Sequence, residues 1–135
     1  MRALLVDDER LARTELTRLL DKFPEIEIVS EASNGEEAIN LIEEHKPDLV
    51  FLDIQMPGMT GFEVLEHLHI VPNIIFVTAY DEYALKAFEV NALDYVLKPI
   101  ELSRLEKAIE KVNSKNQEQD IHTNKELSHE SQIFI

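Results

Sequence analysis

The sequence predicts an α/β fold: a doubly wound, five-stranded parallel sheet with five helices. Three observations carry this. Short β-rich runs alternate with segments of helical spacing along most of the chain. Two of the runs, Leu49 to Leu52 and Ile74 to Thr78, are almost wholly apolar, as strands covered on both faces must be. The length of 135 residues suits one compact domain with a core that needs no covalent staples.

Each element has its own signal. Arg2 to Val6 reads as the first strand. A helix follows from Glu9 to Lys22, with Leu11, Leu16, Leu19 and Leu20 expected on its buried side and Pro24 beyond its end. The second strand is Ile26 to Glu31. Ser33-Asn34-Gly35 then turns the chain, and Ser33 or Asn34 is placed to cap a helix from Glu36 to His45, buried through Ala38, Ile39 and Ile42. Leu49 to Leu52 is the third strand, and the loop Asp53 to Gly61 carries the turn signal Pro57-Gly58. A third helix runs to Leu68, the fourth strand is Ile74 to Thr78, and Asp81 or Thr78 opens a fourth helix over Glu82 to Val90. Asp94 to Leu97 is the fifth strand, stopped by Pro99, and Glu101 to Val112 is the last helix.

Composition narrows the function. The net charge is 13 − 27 = −14, which argues against a surface that grips phosphate backbones and favours cations or basic partners. Cysteine is absent, which removes disulfides, thiolate metal sites and a cysteine nucleophile. The apolar run Ala3 to Val6 is too short for a signal peptide, and no stretch approaches the ~18 apolar residues of a membrane span. A cytoplasmic location with no membrane partner is the expectation. With three glycines and no glycine-rich loop after the first strand, a nucleotide cradle is poorly supported. The five histidines make no metal set.

Doubly wound folds place their sites at the carboxyl ends of the strands. Asp7, Asp8 and Glu9 follow the first strand, Asp53 the third, Thr78 ends the fourth and Lys98 the fifth, while Gln55 lies just past Asp53. Singly, each has a plain reading as a cap, a turn residue, a core hydroxyl or a solvated lysine. Gathered on one edge, the carboxylates repel and need a cation. An all-oxygen donor set with room for water suits Mg²⁺, and Mg²⁺ with a lysine and a hydroxyl suits phosphoryl transfer. A carboxylate can itself be the nucleophile, and Asp53, fixed by the apolar strand before it, is the best candidate.

Four segments carry a resemblance: VDDE at Val6 to Glu9, FLDIQMPGMTG at Phe51 to Gly61, VTAY at Val77 to Tyr80 and DYVLKPI at Asp94 to Ile100. Together they resemble the receiver domain of bacterial two-component response regulators, a flavodoxin-like, CheY-like fold, over residues 1–113. The stretch from Val77 to Ile100 is similar to the LytR/AlgR type, whose receivers precede a LytTR DNA-binding domain. The resemblance implies that Asp53 accepts a phosphoryl group from the phosphohistidine of a sensor histidine kinase. It implies that Asp8 contacts Mg²⁺ directly, that Asp7 acts through a metal-bound water, and that the Gln55 carbonyl is a third protein ligand. Lys98 would pair with the phosphoryl oxygens and Thr78 would donate to one of them. Tyr95 holds the position of the family's aromatic switch residue, and Lys98-Pro99 would be cis. Tyr80 is placed to exclude an attacking water. Self-association through the face of helix four, strand five and helix five would follow phosphorylation, and the domain would act as a switch rather than as an enzyme.

Residues 114–135 read as a polar linker and the start of a truncated C-terminal, LytTR-like domain, through which alone DNA would be contacted. Two other readings stand beside this one. One is a stand-alone phosphorelay or protein-interaction receiver. The other is a haloacid-dehalogenase-like phosphotransferase, opposed by Gln55 where such enzymes carry a second acid and by the lack of a cap insertion.

Overall fold

The computed structural model describes residues 1–115. The elements in chain order are β1 (Arg2–Val6), α1 (Arg10–Leu20), β2 (Glu27–Ala32), α2 (Gly35–His45), β3 (Leu49–Leu52), α3 (Gly61–Glu66), β4 (Asn73–Thr78), α4 (Ala84–Glu89) and β5 (Asp94–Leu97). A fifth helix, α5, covers residues 102–115. The strands form one parallel sheet in the order β2-β1-β3-β4-β5. The order reverses at β1 and β3, so the carboxyl ends of these two strands form the crevice where doubly wound folds bind ligands.

The pleat sorts the strand residues onto two faces. Ala3, Leu5, Leu49, Phe51, Ile75 and Val77 pack with α1 and α5 through Leu16, Leu19, Leu20, Leu105 and Ile109. The alternate residues Leu4, Val6, Val50, Leu52, Ile74 and Phe76 pack against α2, α3 and Ala87 of α4. Both faces are covered, which is why the central strands are wholly apolar over Ala3 to Val6, Leu49 to Leu52 and Ile74 to Val77.

Local chemistry sets the helix boundaries. The Asn34 side chain accepts from the Glu37 N–H at 2.8 Å and caps α2, while Lys46 closes it at φ 48°. Thr60 and Glu63 form a reciprocal capping box at the start of α3.

Three expectations are corrected. Leu11 is 83% exposed. It lies about two and a half turns before Leu20 at ~3.6 residues per turn, and therefore on the opposite side of α1. Helix α4 is shorter than its sequence pattern, starting after Tyr83 without a side-chain cap, so neither Asp81 nor Thr78 opens it. Helix α5 continues past Asn113, where a linker was expected. The remainder of that linker and the expected C-terminal domain fall on residues 116–135, outside the described residues.

Candidate functional site

Strand register brings the polar residues together. Val6 pairs with Leu52, so Asp7 and Asp53 leave adjacent strands side by side. The Asp53 N–H continues the ladder to the Val6 carbonyl at 2.9 Å, and the Asp7 N–H does so to Ala32 at 3.1 Å. Thr78 pairs with Leu97, and the Lys98 N–H bonds the Thr78 carbonyl at 2.8 Å. The peptide Lys98-Pro99 is cis.

The side chains converge from there. Lys98 Nζ donates to Asp7 Oδ2 at 2.6 Å and to Asp53 Oδ2 at 3.2 Å. The other Asp53 oxygen accepts from the Ile54 N–H at 2.7 Å, and the other Asp7 oxygen accepts from the Glu9 N–H at 2.9 Å. Asp7 therefore does serve the start of α1, but with one oxygen only. Asp8 is exposed beside them, and Asp7, Asp8 and Asp53 each offer an oxygen within 4.8 Å of the others.

The electrostatics follow from burial and pairing. Desolvation pushes the Asp53 carboxyl above its ordinary value; Lys98 opposes this and Asp7 adds to it. For Lys98 desolvation works downward, but the hydrogen bond to Asp7 and the charges of both carboxylates outweigh it, and the ammonium is held above its ordinary value. The result is a carboxylate crowded by like charge and offset by one fixed cation. Three carboxylates so close carry more negative charge than one lysine neutralises. Their donor atoms are all oxygen, the chemistry of a hard divalent cation.

The remaining expected residues take two places. Thr78 is fully buried at the end of β4, its hydroxyl accepting from the Tyr80 N–H at 3.4 Å. Tyr95 is half-buried, its ring 6.4 Å from that of Phe76 and its hydroxyl donating to the Tyr80 carbonyl. Gln55 is exposed, and its carboxamide donates to the Tyr83 hydroxyl at 2.5 Å.

Sequence reasoning missed three contributors. Arg13 of α1 donates to the Asp7 carbonyl at 2.7 Å and to Glu31 at 3.2 Å, tying the end of β1 to β2. Tyr83 receives Gln55. Gly61 brings the start of α3 against the end of β3, since a Cβ there would stand 2.4 Å from the Asp53 carbonyl oxygen. Only Gly61 left a trace in the sequence, as the last glycine of the loop, and nothing there showed what it approaches.

With this geometry in place, comparisons with known proteins agree on the family. Residues 3–110 match the response regulator receiver domain. The chain is 48% identical over 126 residues to the transcriptional regulatory protein BtsR of Salmonella typhi, covering 90% of this chain and 52% of that protein. It is 47% identical over 122 residues to the sensory transduction protein LytT of Bacillus anthracis, covering 88% of this chain and 50% of that protein. The chain thus spans about half the length of these relatives. Among solved structures, the response regulatory domain of mrkE from Klebsiella pneumoniae superposes with a TM-score of 0.79 at 33% identity, over 87% of this chain and 99% of that one.

Proposed function

Since the chain belongs to the response regulator receiver domain family and is similar to the corresponding parts of BtsR and LytT, we propose that it is a Mg²⁺-dependent phosphoacceptor switch, charged at Asp53 by a sensor histidine kinase. The observation that carries this reading is the Asp53 carboxylate, held between the Ile54 N–H and Lys98 with Asp7 and Asp8 alongside.

An Asp53 oxygen forms the new P–O bond while the P–N bond of the phosphohistidine breaks, its electron pair returning to the imidazole nitrogen. Lys98, freed from Asp53 Oδ2, meets the charge on the transferring oxygens. Asp7, Asp8, Asp53 and the Gln55 carbonyl would hold the magnesium ion, which neutralises phosphoryl charge when bound.

A phosphoryl group adds nearly two negative charges and three acceptors. Thr78 serves one of them only if the loop after β4 moves toward Asp53. That loop includes Tyr80, whose carbonyl holds the Tyr95 hydroxyl. The movement therefore disturbs Tyr95 and, through it, the face of α4, β5 and α5. Leu85 and Phe88 on that face are 71% and 79% exposed, a ready surface for self-association. A LytTR-like output domain beyond this chain would then carry transcriptional control and DNA contact. The switch reading is preferred to a haloacid-dehalogenase-like enzyme because Gln55, with its side chain on Tyr83, stands where that enzyme needs a second acid.

Beryllofluoride with magnesium, followed by amide NMR, tests the proposal. Peaks of the strand ends, α4 and β5 should move. An unchanged spectrum overturns the acceptor role, and steady turnover of a generic phosphate ester would favour the enzyme.

A further inference from the structure

We propose that Tyr83 is a positioning residue of the switch: its hydroxyl, bonded by the Gln55 carboxamide, holds the start of α4 against the acceptor loop in the unphosphorylated state. The inference rests on the acceptor reading of Asp53 and goes beyond it to the Tyr83 hydroxyl, which has no role in that reading.

Helix α4 has little to hold it by itself. It has six residues, no side-chain cap, and one buried side chain, Ala87. A helix this short is marginal without tertiary support. Its carboxyl end is anchored through the backbone, where the Leu93 N–H bonds the Ile74 carbonyl of β4 at 2.8 Å. Its amino end depends on side chains. The Tyr83 carbonyl accepts the first helical hydrogen bond, from Ala87 at 3.0 Å. The Tyr83 ring lies 6.1 Å from Phe62 and 6.3 Å from Tyr80, and its hydroxyl meets Gln55. Lys86 adds a tie over the Phe62 ring at 4.5 Å.

The Gln55 end of the tether is adjacent to the chemistry. The Ile54 N–H that precedes it bonds Asp53 Oδ1, so a change of charge at Asp53 acts directly on this backbone. A phosphoryl oxygen is a stronger acceptor than a phenol. Once present in the same loop, it competes for the carboxamide that now bonds Tyr83. Loss of that bond releases the amino end of α4 while the carboxyl end stays fixed.

Tyr83→Phe removes the hydroxyl and keeps the ring. In the magnesium-loaded, unphosphorylated protein, amide peaks of residues 79–90 should shift along the line toward their beryllofluoride-bound positions. The shift should report a rise of about fivefold in the activated population, the worth of one side-chain hydrogen bond. Gln55→Ala should move the same peaks by the same fraction, and the double variant no further. A merely structural role would lower the melting temperature without moving peaks along that line, and this outcome overturns the proposal. Additive shifts in the double variant also overturn it. If the wild-type protein itself ignores beryllofluoride, the acceptor reading fails and the tether with it. If the wild type responds and Tyr83→Phe rests where the wild type rests, the tether alone fails.

Discussion

The Lys98 ammonium bonds the Asp7 carboxylate at 2.6 Å across 91 residues of sequence, closer than its 3.2 Å approach to Asp53. The lysine therefore serves the acidic cluster and not Asp53 alone. Lys98→Ala removes the ammonium that bonds the carboxylates of both Asp7 and Asp53. The metal-free variant should lose about 1–2 kcal/mol, discounted from a fully buried pair because the lysine side chain is 21% exposed. Magnesium should restore most of that loss. Thermal melts with and without the ion check this, and an equal loss in both would count against it.

Asp53→Asn should raise the metal-free melting temperature at neutral pH while abolishing phosphorylation. The Asp53 carboxyl is held above its ordinary value of 3.8, with burial as the largest cause. A raised acid favours folding when protonated, and that contribution is lost as pH rises through the folded value. Asparagine has no such loss, and Lys98 keeps Asp7 as a partner. The advantage of the variant should close as pH falls below the ordinary aspartate value. Melting curves across pH read it, and a gap that widens in acid would contradict the argument.

Gly61→Ala should disturb Asp53 from outside its charged cluster. The added Cβ would stand 2.4 Å from the Asp53 carbonyl oxygen, and that atom is backbone. A cost of about 1–3 kcal/mol is expected, together with weaker beryllofluoride binding. Unaltered stability and binding in denaturant and fluorescence titrations would show that the loop yields freely.

Asp94 ties β5 to α5 through Arg104. Its side chain is 6% exposed, with Arg104 on both oxygens at 2.6 and 2.8 Å and Lys111 at 3.2 Å. Burial raises this carboxyl, but Arg104, the Tyr95 N–H and Lys111 outweigh it, and the net direction is downward. A lowered acid stabilises above its ordinary value and loses that contribution as pH falls through the folded one. Arg104→Ala should cost about 1–2 kcal/mol near neutrality, with the difference narrowing in acid. A penalty independent of pH would assign the loss to packing instead.

Tyr80→Ala should shorten the phosphoryl lifetime. Tyr80 is 46% exposed two residues past Thr78, the last residue of β4, and its carbonyl remains available to Tyr95 whatever its side chain. Decay of the phosphorylated protein in quenched time courses measures this. An unchanged half-life would show that the ring does not screen water.

The sequence by itself determined the alternation of strands and helices, the two-sided burial of Leu49 to Leu52 and Ile74 to Phe76, and the positions of Asp7, Asp8, Asp53, Thr78 and Lys98 at strand ends. Those features are written in local periodicity and in the point at which an apolar run stops. The exposure of Leu11 was also legible, since nine residues before Leu20 is about two and a half turns, but grouping the leucines by type alone passed over that angle. Tertiary structure decided the rest: which oxygen of Asp53 faces Lys98, that Gln55 reaches Tyr83, and that Gly61 abuts the Asp53 carbonyl. The physical reason is sequence separation. Gln55 and Tyr83 are 28 residues apart, Lys98 and Asp53 are 45 apart, and only the packed sheet and its crossovers bring such pairs within bonding distance.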